Sequence, residues 1–233
     1  MRMMVVYAKA YPLRHIGHLD LMRTMQRALR RSGLPVAYSH GFNPHIKMSF
    51  ASPLSVGIAG EREIFDVSLE SACGEEEFLR ALNGVMPENL PICGARLISD
   101  EFPTLMGLAA GSRFRMETET PASAFEGAIQ TLLTLAEYRA LRKTKSGEAV
   151  CDVLPYIHTL ETRANAISFT ARNLQSGSLK PAVVMDALFQ LSQLTPCDTI
   201  VTREAILASN ADGGLTPLEG IAYDGETEHP GQG

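Results

Sequence analysis

The chain has no tryptophan and only four cysteines in 233 residues: Cys73, Cys93, Cys151 and Cys197. They are scattered, with neither a C-x-x-C nor a C-x-x-x-C-x-x-C among them. A zinc ribbon or an iron–sulfur cluster held by this chain alone is therefore not expected. The thiols read as reduced and mostly buried, with a disulfide pair as the alternative. Long apolar runs are missing too. The first, residues 3–8, is interrupted at Lys9, and no stretch approaches the roughly 20 apolar residues of a membrane span. A soluble, cytoplasmic protein without a membrane partner is expected. Also absent are a Ser/His/Asp order, a glycine-rich nucleotide loop and a paired-carboxylate motif. Gly111-Ser112 and Ser176-Gly177 read as turns rather than phosphate loops.

What is present begins with a charge asymmetry. The net charge is −5, yet residues 1–60 hold eight lysines and arginines against one acid, Asp20. A basic first quarter on an acidic protein is an electrostatic footprint for a polyanion. The alternative is an arginine-rich solvated face, paired with the acidic remainder.

The order of elements is legible from periodicity and breakers. Residues 3–10 (MMVVYAKA) read as a strand ended by Pro12. Residues 19–31 read as a helix. Leu19, Leu21, Met22, Met25 and Leu29 form its apolar stripe, Arg23, Arg27 and Arg30 lie on another face, and Gly33 and Pro35 stop it. Strands follow at 36–39, 47–50, 54–59 and 63–69, then a helix at 75–85 and a strand at 92–98. Residues 100–112 read as a linker. The order then recurs: strand 113–118, helix 122–141, a basic turn at 143–147, a hairpin of 150–161 with 166–172, helix 181–194 and strand 199–203. Both halves match the βαββαβ pattern. The expected class is α+β, with two tandem ferredoxin-like domains at 1–104 and 112–210 and a disordered tail at 211–233. Two four-stranded sheets side by side leave an open face or a cleft for RNA or a partner.

Two stretches carry the candidate chemistry. His15-Ile16-Gly17-His18-Leu19-Asp20 has the spacing H-x-x-H-x-D. It fits a metal site, a cap at the helix N-terminus, or a phosphate held at that terminus. Ser39-His40-Gly41-Phe42-Asn43-Pro44-His45-Ile46-Lys47 is the second. Pro44 biases Asn43 towards an extended backbone and Gly41 permits a positive φ, so the loop is well defined. Lys47 then offers charge, Asn43 a contact to a base edge or backbone, and His45 a hydrogen bond or a stacking ring; a rigid turn with a self-capping Asn is the alternative. The anion- or nucleic-acid-binding candidates are Arg14, Arg23, Arg27, Arg30, Arg31, His40, Asn43, His45 and Lys47. The acid/base candidates are His15, His18 and His45, with pKa values naturally near neutrality; His40 shares that chemistry. His158, beside Asp152 and Tyr156, reads as a structural hairpin histidine. No metal ligand is assigned.

These residues carry a resemblance. Gly17 to Arg23, Arg30 to Pro35 and Ser39 to Ala51 are similar to the signature of the radical SAM-linked domain of unknown function. That family occurs alone, or fused C-terminal to cobalamin-binding radical SAM proteins. Similarity is dense over residues 14–70. Beyond residue 110 it is confined to 152–157 and 177–181. Gly17 stands where Ser is common and Ile46 where Pro is common, and neither change removes a titratable group. The resemblance implies partnership with a separate radical SAM protein, which would carry the iron–sulfur cluster and S-adenosylmethionine. This chain, with no cofactor of its own, would be accessory.

Three functions follow as expectations: an accessory module that recognises RNA for that enzyme, an RNA-processing or modifying enzyme using histidine acid/base groups, or a protein–protein adaptor.

Overall fold

The computed structural model describes residues 1–144 and 147–221. The chain builds β1 (Arg2–Lys9), α1 (His18–Arg31), β2 (Met48–Phe50), β3 (Ile58–Ser68), α2 (Glu75–Asn83), β4 (Ile92–Ile98), α3 (Leu105–Leu108), β5 (Ala109–Thr118), α4 (Glu126–Thr134), β6 (Arg139–Thr144), β7 (Gly147–Asp152), β8 (Ile157–Arg163), β9 (Ala166–Arg172), α5 (Pro181–Ser192), β10 (Thr199–Ser209) and β11 (Leu215–Pro217). It is a mixed α+β protein. No helix among the described residues is long and apolar enough to cross a membrane.

One nine-stranded sheet runs β4-β1-β3-β10-β5-β9-β8, with β2 added to β3 and β11 to β10. β1 is an interior strand between β4 and β3, and its residues 3–7 are all buried, which the run Met-Met-Val-Val-Tyr permits on both faces. Alternation sends Met3, Val5 and Tyr7 under the helices, while Met4 and Val6 join a second core with Phe102, Leu105, Ile206 and Leu218. A third core lies under α4 and α5, around Phe125, Phe169 and Leu188. Within the first half β1 pairs antiparallel with β3 and β4, and β2 antiparallel with β3. Within the second, β5 pairs antiparallel with β9 and β10, and β8 with β9. The halves are stitched by a short parallel pairing, Val201↔Ile58, Thr202↔Ala59 and Arg203↔Gly60. The sheets are therefore continuous rather than merely adjacent.

Several expectations are corrected. The helix placed over 122–141 ends at Thr134, and the β6–β7 hairpin follows. Asp152 decides this: its Oδ1 accepts from the Tyr138 N–H at 3.0 Å, a contact invisible to local periodicity. Of the basic turn expected at 143–147, residues 145–146 lie outside the described residues. The long strand at 150–161 is broken by a 3₁₀ turn at Leu154–Tyr156. The strand expected at 54–59 begins only at Ile58 and continues through Gly60 into the one expected at 63–69, as the single strand β3. The linker at 100–112 already contains α3 and the start of β5. The tail expected from residue 211 is structured at first: β11 pairs with β10, and Leu218 is fully buried. Residues 222–233 of that tail lie outside the described residues.

Candidate functional site

In α1 the buried stripe is Leu21, Met25, Ala28 and Leu29, and Leu19 is exposed. That spacing turns Arg23, Arg27 and Arg30 outward. Arg23 is tied to Asp20 at 3.2 Å, an exposed pair of small energetic value. Arg30 and Arg31 sit in the last turn, where the helix dipole favours cations. Arg31 also donates to the Val85 carbonyl at 2.8 Å. Arg14 is held differently, with its guanidinium 3.8 Å over the Tyr11 ring and its Nη1 donating to the Tyr11 carbonyl.

The loop after α1 is closed by its own backbone. Tyr38 bridges Ile46, the Ser39 N–H donates to the His45 carbonyl at 2.8 Å, and the His45 N–H donates to Ser39 Oγ at 3.0 Å. The Lys47 N–H donates to the Ala37 carbonyl at 2.9 Å, and its own carbonyl accepts from Ser68. Gly41 takes φ +123°, open to glycine and strained for other residues. Ile46 is buried in the first core, so it anchors the loop by packing. His40, Phe42, Asn43, His45 and Lys47 are exposed, and Phe42 is as accessible as in an isolated chain, at 107%.

The H-x-x-H-x-D stretch is pinned from beneath. Lys9 is buried, and its Nζ donates to the carbonyls of Arg14 and Ile16 at 3.2 and 3.0 Å. Gly17 is the N-cap of α1 and, being glycine, offers no side chain to accept from the first-turn N–H groups. Neither His18 nor Asp20 therefore caps the helix, although Asp20 stands in the first turn where the dipole favours an acid. His15 is exposed. His18 meets Phe50 edge to face, with ring centroids 4.9 Å apart. That contact joins the start of α1 to β2, the strand into which the loop runs. No group of three His, Cys, Asp or Glu side chains that could hold a metal is found among the described residues. His158 belongs to the second half, where its Nδ1 faces Arg172 Nη2 at 2.8 Å. Burial, and then the Arg172 charge, lowers its pKa below the ordinary 6.5.

Sequence reading gave Phe42 no role, although an aromatic beside Gly41 and Asn43 in a polar loop is the available signal. It also missed the seam between the halves. Arg203 and Glu63 are both buried and form a two-point pair, Nε–Oε1 at 2.7 Å and Nη2–Oε2 at 2.5 Å. The remaining guanidinium N–H groups donate to Ser52 Oγ, the Ser52 carbonyl and the Pro53 carbonyl. Lys9 and Tyr7 feel both charges. Burial lowers the Lys9 pKa, with Glu63 opposing and Arg203 adding to the effect. Burial likewise raises the Tyr7 phenol well above its ordinary 10.0, with Glu63 adding and Arg203 opposing. The partners are 140 residues apart in the chain, so only Lys9, a charge in an apolar strand, offered a hint.

The chain belongs to a family described as an uncharacterized protein conserved in bacteria (DUF2344), whose model matches residues 2–181. The match spans α1, the loop and the strands through β9. That description links the family to no activity and not to radical SAM proteins. Comparison with curated proteins returns no match.

Proposed function

For this member of an uncharacterized bacterial family, we propose a recognition module that binds RNA and serves a separate radical SAM enzyme. That partner would carry the iron–sulfur cluster and S-adenosylmethionine. One observation carries the RNA reading: a loop with a fixed backbone presents the fully exposed Phe42 among His40, Asn43, His45 and Lys47. An exposed ring on a rigid loop is a stacking platform for an unpaired base, and every base has a face to stack. Lys47 and the outward arginines of α1 supply attraction to phosphate. The histidines then serve as hydrogen-bonding or stacking groups. The radical SAM partnership rests on the sequence resemblance alone.

The same proposal includes the finer architecture, two ferredoxin-like units spanning about 1–104 and 112–210. The antiparallel orders β4-β1-β3-β2 and β10-β5-β9-β8 support it, with the β6–β7 hairpin as an insertion in the second unit.

The test is an RNA-binding titration at about 50 and 200 mM salt with the parent, Phe42→Ala and Lys47→Ala. Loss of a stacking ring is expected to weaken binding about tenfold at both salts. Loss of Lys47 is expected to weaken binding and flatten the salt dependence. Binding that is absent, or indifferent to salt and to both substitutions, refutes the RNA reading. In that case, co-purification of a radical SAM protein free of nucleic acid would favour an adaptor whose α1 arginines meet an acidic surface.

A further inference from the structure

A cleft opens on the helix side of the sheet, beside the parallel pairing of β3 with β10. Its floor is formed by Ser112 and Arg203, one wall by the segment before β3, and the other by the segment leading into α5, including Ser178 and Lys180. The cleft therefore straddles the two halves, and it is distinct from the loop at 38–46.

Three features give it a chemical character. First, Ser112 is 93% buried by its 7% exposure, lines the cleft, and its hydroxyl makes no hydrogen bond among the described residues. That oxygen is not sealed from solvent, so it can meet a ligand or water that enters the cleft. Second, α5 begins at this wall. It is 12 residues long, with Pro181 in its first turn, no capping side chain and no acid in the first turn. Its uncompensated positive end and the exposed Lys180 lie together at the mouth. Third, no acidic side chain lines the cleft, whereas four serines and Asn173 do. Arg203 is already committed to Glu63, Ser52 and Pro53. Its role is to hold the wall, and it leaves Lys180 and the helix end as the free positive charge.

We propose that this cleft binds a phosphate group, with the α5 N-terminus and Lys180 supplying charge and Ser112 donating from the floor. A tetrahedral oxyanion takes up several hydroxyl donors at once and prefers a site free of carboxylates. The phosphate belongs either to a small phosphorylated ligand or to the 5′ end of an RNA. The proposal does not depend on the role of the Phe42 loop.

The experiment measures binding of inorganic phosphate by isothermal titration calorimetry at fixed ionic strength, using the full chain and its variants Ser112→Ala and Lys180→Ala. Saturable binding at millimolar phosphate is expected, weakened about tenfold by either substitution, since a hydrogen bond to a charged group is lost in each. Lys180 is exposed, so its variant reports binding even if Ser112→Ala folds poorly. Phe42→Ala should leave phosphate binding unchanged, which separates this site from the RNA loop. Ribose 5-phosphate, and an oligoribonucleotide with and without a 5′-phosphate, then identify the source; tighter binding of either phosphorylated form in a Lys180-dependent manner supports the site. Absence of phosphate binding, or binding unaffected by Lys180→Ala, overturns it.

Discussion

Glu63→Gln and Arg203→Met together probe the seam that makes one sheet out of two halves. Glu63 is 1% exposed and Arg203 4%, so their pairing takes place away from water. At an effective dielectric constant of about 20, unit charges about 4 Å apart attract by about 4 kcal/mol. Most of that attraction offsets desolvation, so an intact buried pair is worth little net, whereas removing one partner strands the other. The cluster also contains the buried Lys9, which gives it two cations and one anion. Glu63→Gln leaves two cations without a counter-charge and should cost about 3–5 kcal/mol. Arg203→Met leaves Glu63 facing Lys9, and the carbonyls of Ser52 and Pro53 border a cleft that admits water. It should cost less, about 2–3 kcal/mol. Glu63→Leu combined with Arg203→Met should cost less than Glu63→Gln alone. The assay is urea unfolding at neutral pH, read as the free energy extrapolated to water. If Arg203→Met proves as costly as Glu63→Gln, or if both cost under about 1 kcal/mol, the three-charge account is wrong.

Other outcomes follow from the same geometry. Met25 is completely buried between α1 and the sheet, and Met25→Ala should cost about 2–5 kcal/mol in the same assay; a loss below 1 kcal/mol would mean that α1 packs differently. Tyr7 has its phenol pKa raised above 10.0, chiefly by burial. Its contribution to stability is therefore complete below that pH and is lost as pH climbs through the folded value. Tyr7→Phe should remove part of the alkaline decline above about pH 10, and parallel unfolding midpoints for variant and parent would count against this. His158 has its pKa lowered below 6.5 by burial and then by Arg172. Its contribution is present above 6.5 and lost as pH falls through the folded value. His158→Asn should flatten the acid limb of the stability curve between about pH 7 and 5, and an unchanged limb would place the titration elsewhere.

The α+β class, most of the strands and the two stretches that hold the candidate residues were all legible in the sequence. These rest on local rules: β-branched runs for β1, apolar spacing for α1, and Gly33 with Pro35 as its stop. The exposed loop was legible because Pro44 restricts the backbone of the residue before it and Gly41 opens a positive φ that other residues disfavour. Tertiary structure decided what depends on distant partners. Asp152 ends a helical pattern by capturing the Tyr138 N–H, and β10 recruits residues 215–217 from an apparent tail. Arg203 finds Glu63 across the chain, and β3 pairs with β10, so that both halves of the chain share one sheet and Ser112 lines a cleft. Local periodicity carries no term for pairing between residues so far apart, because the energy of a buried ion pair or a strand register belongs to the packed whole.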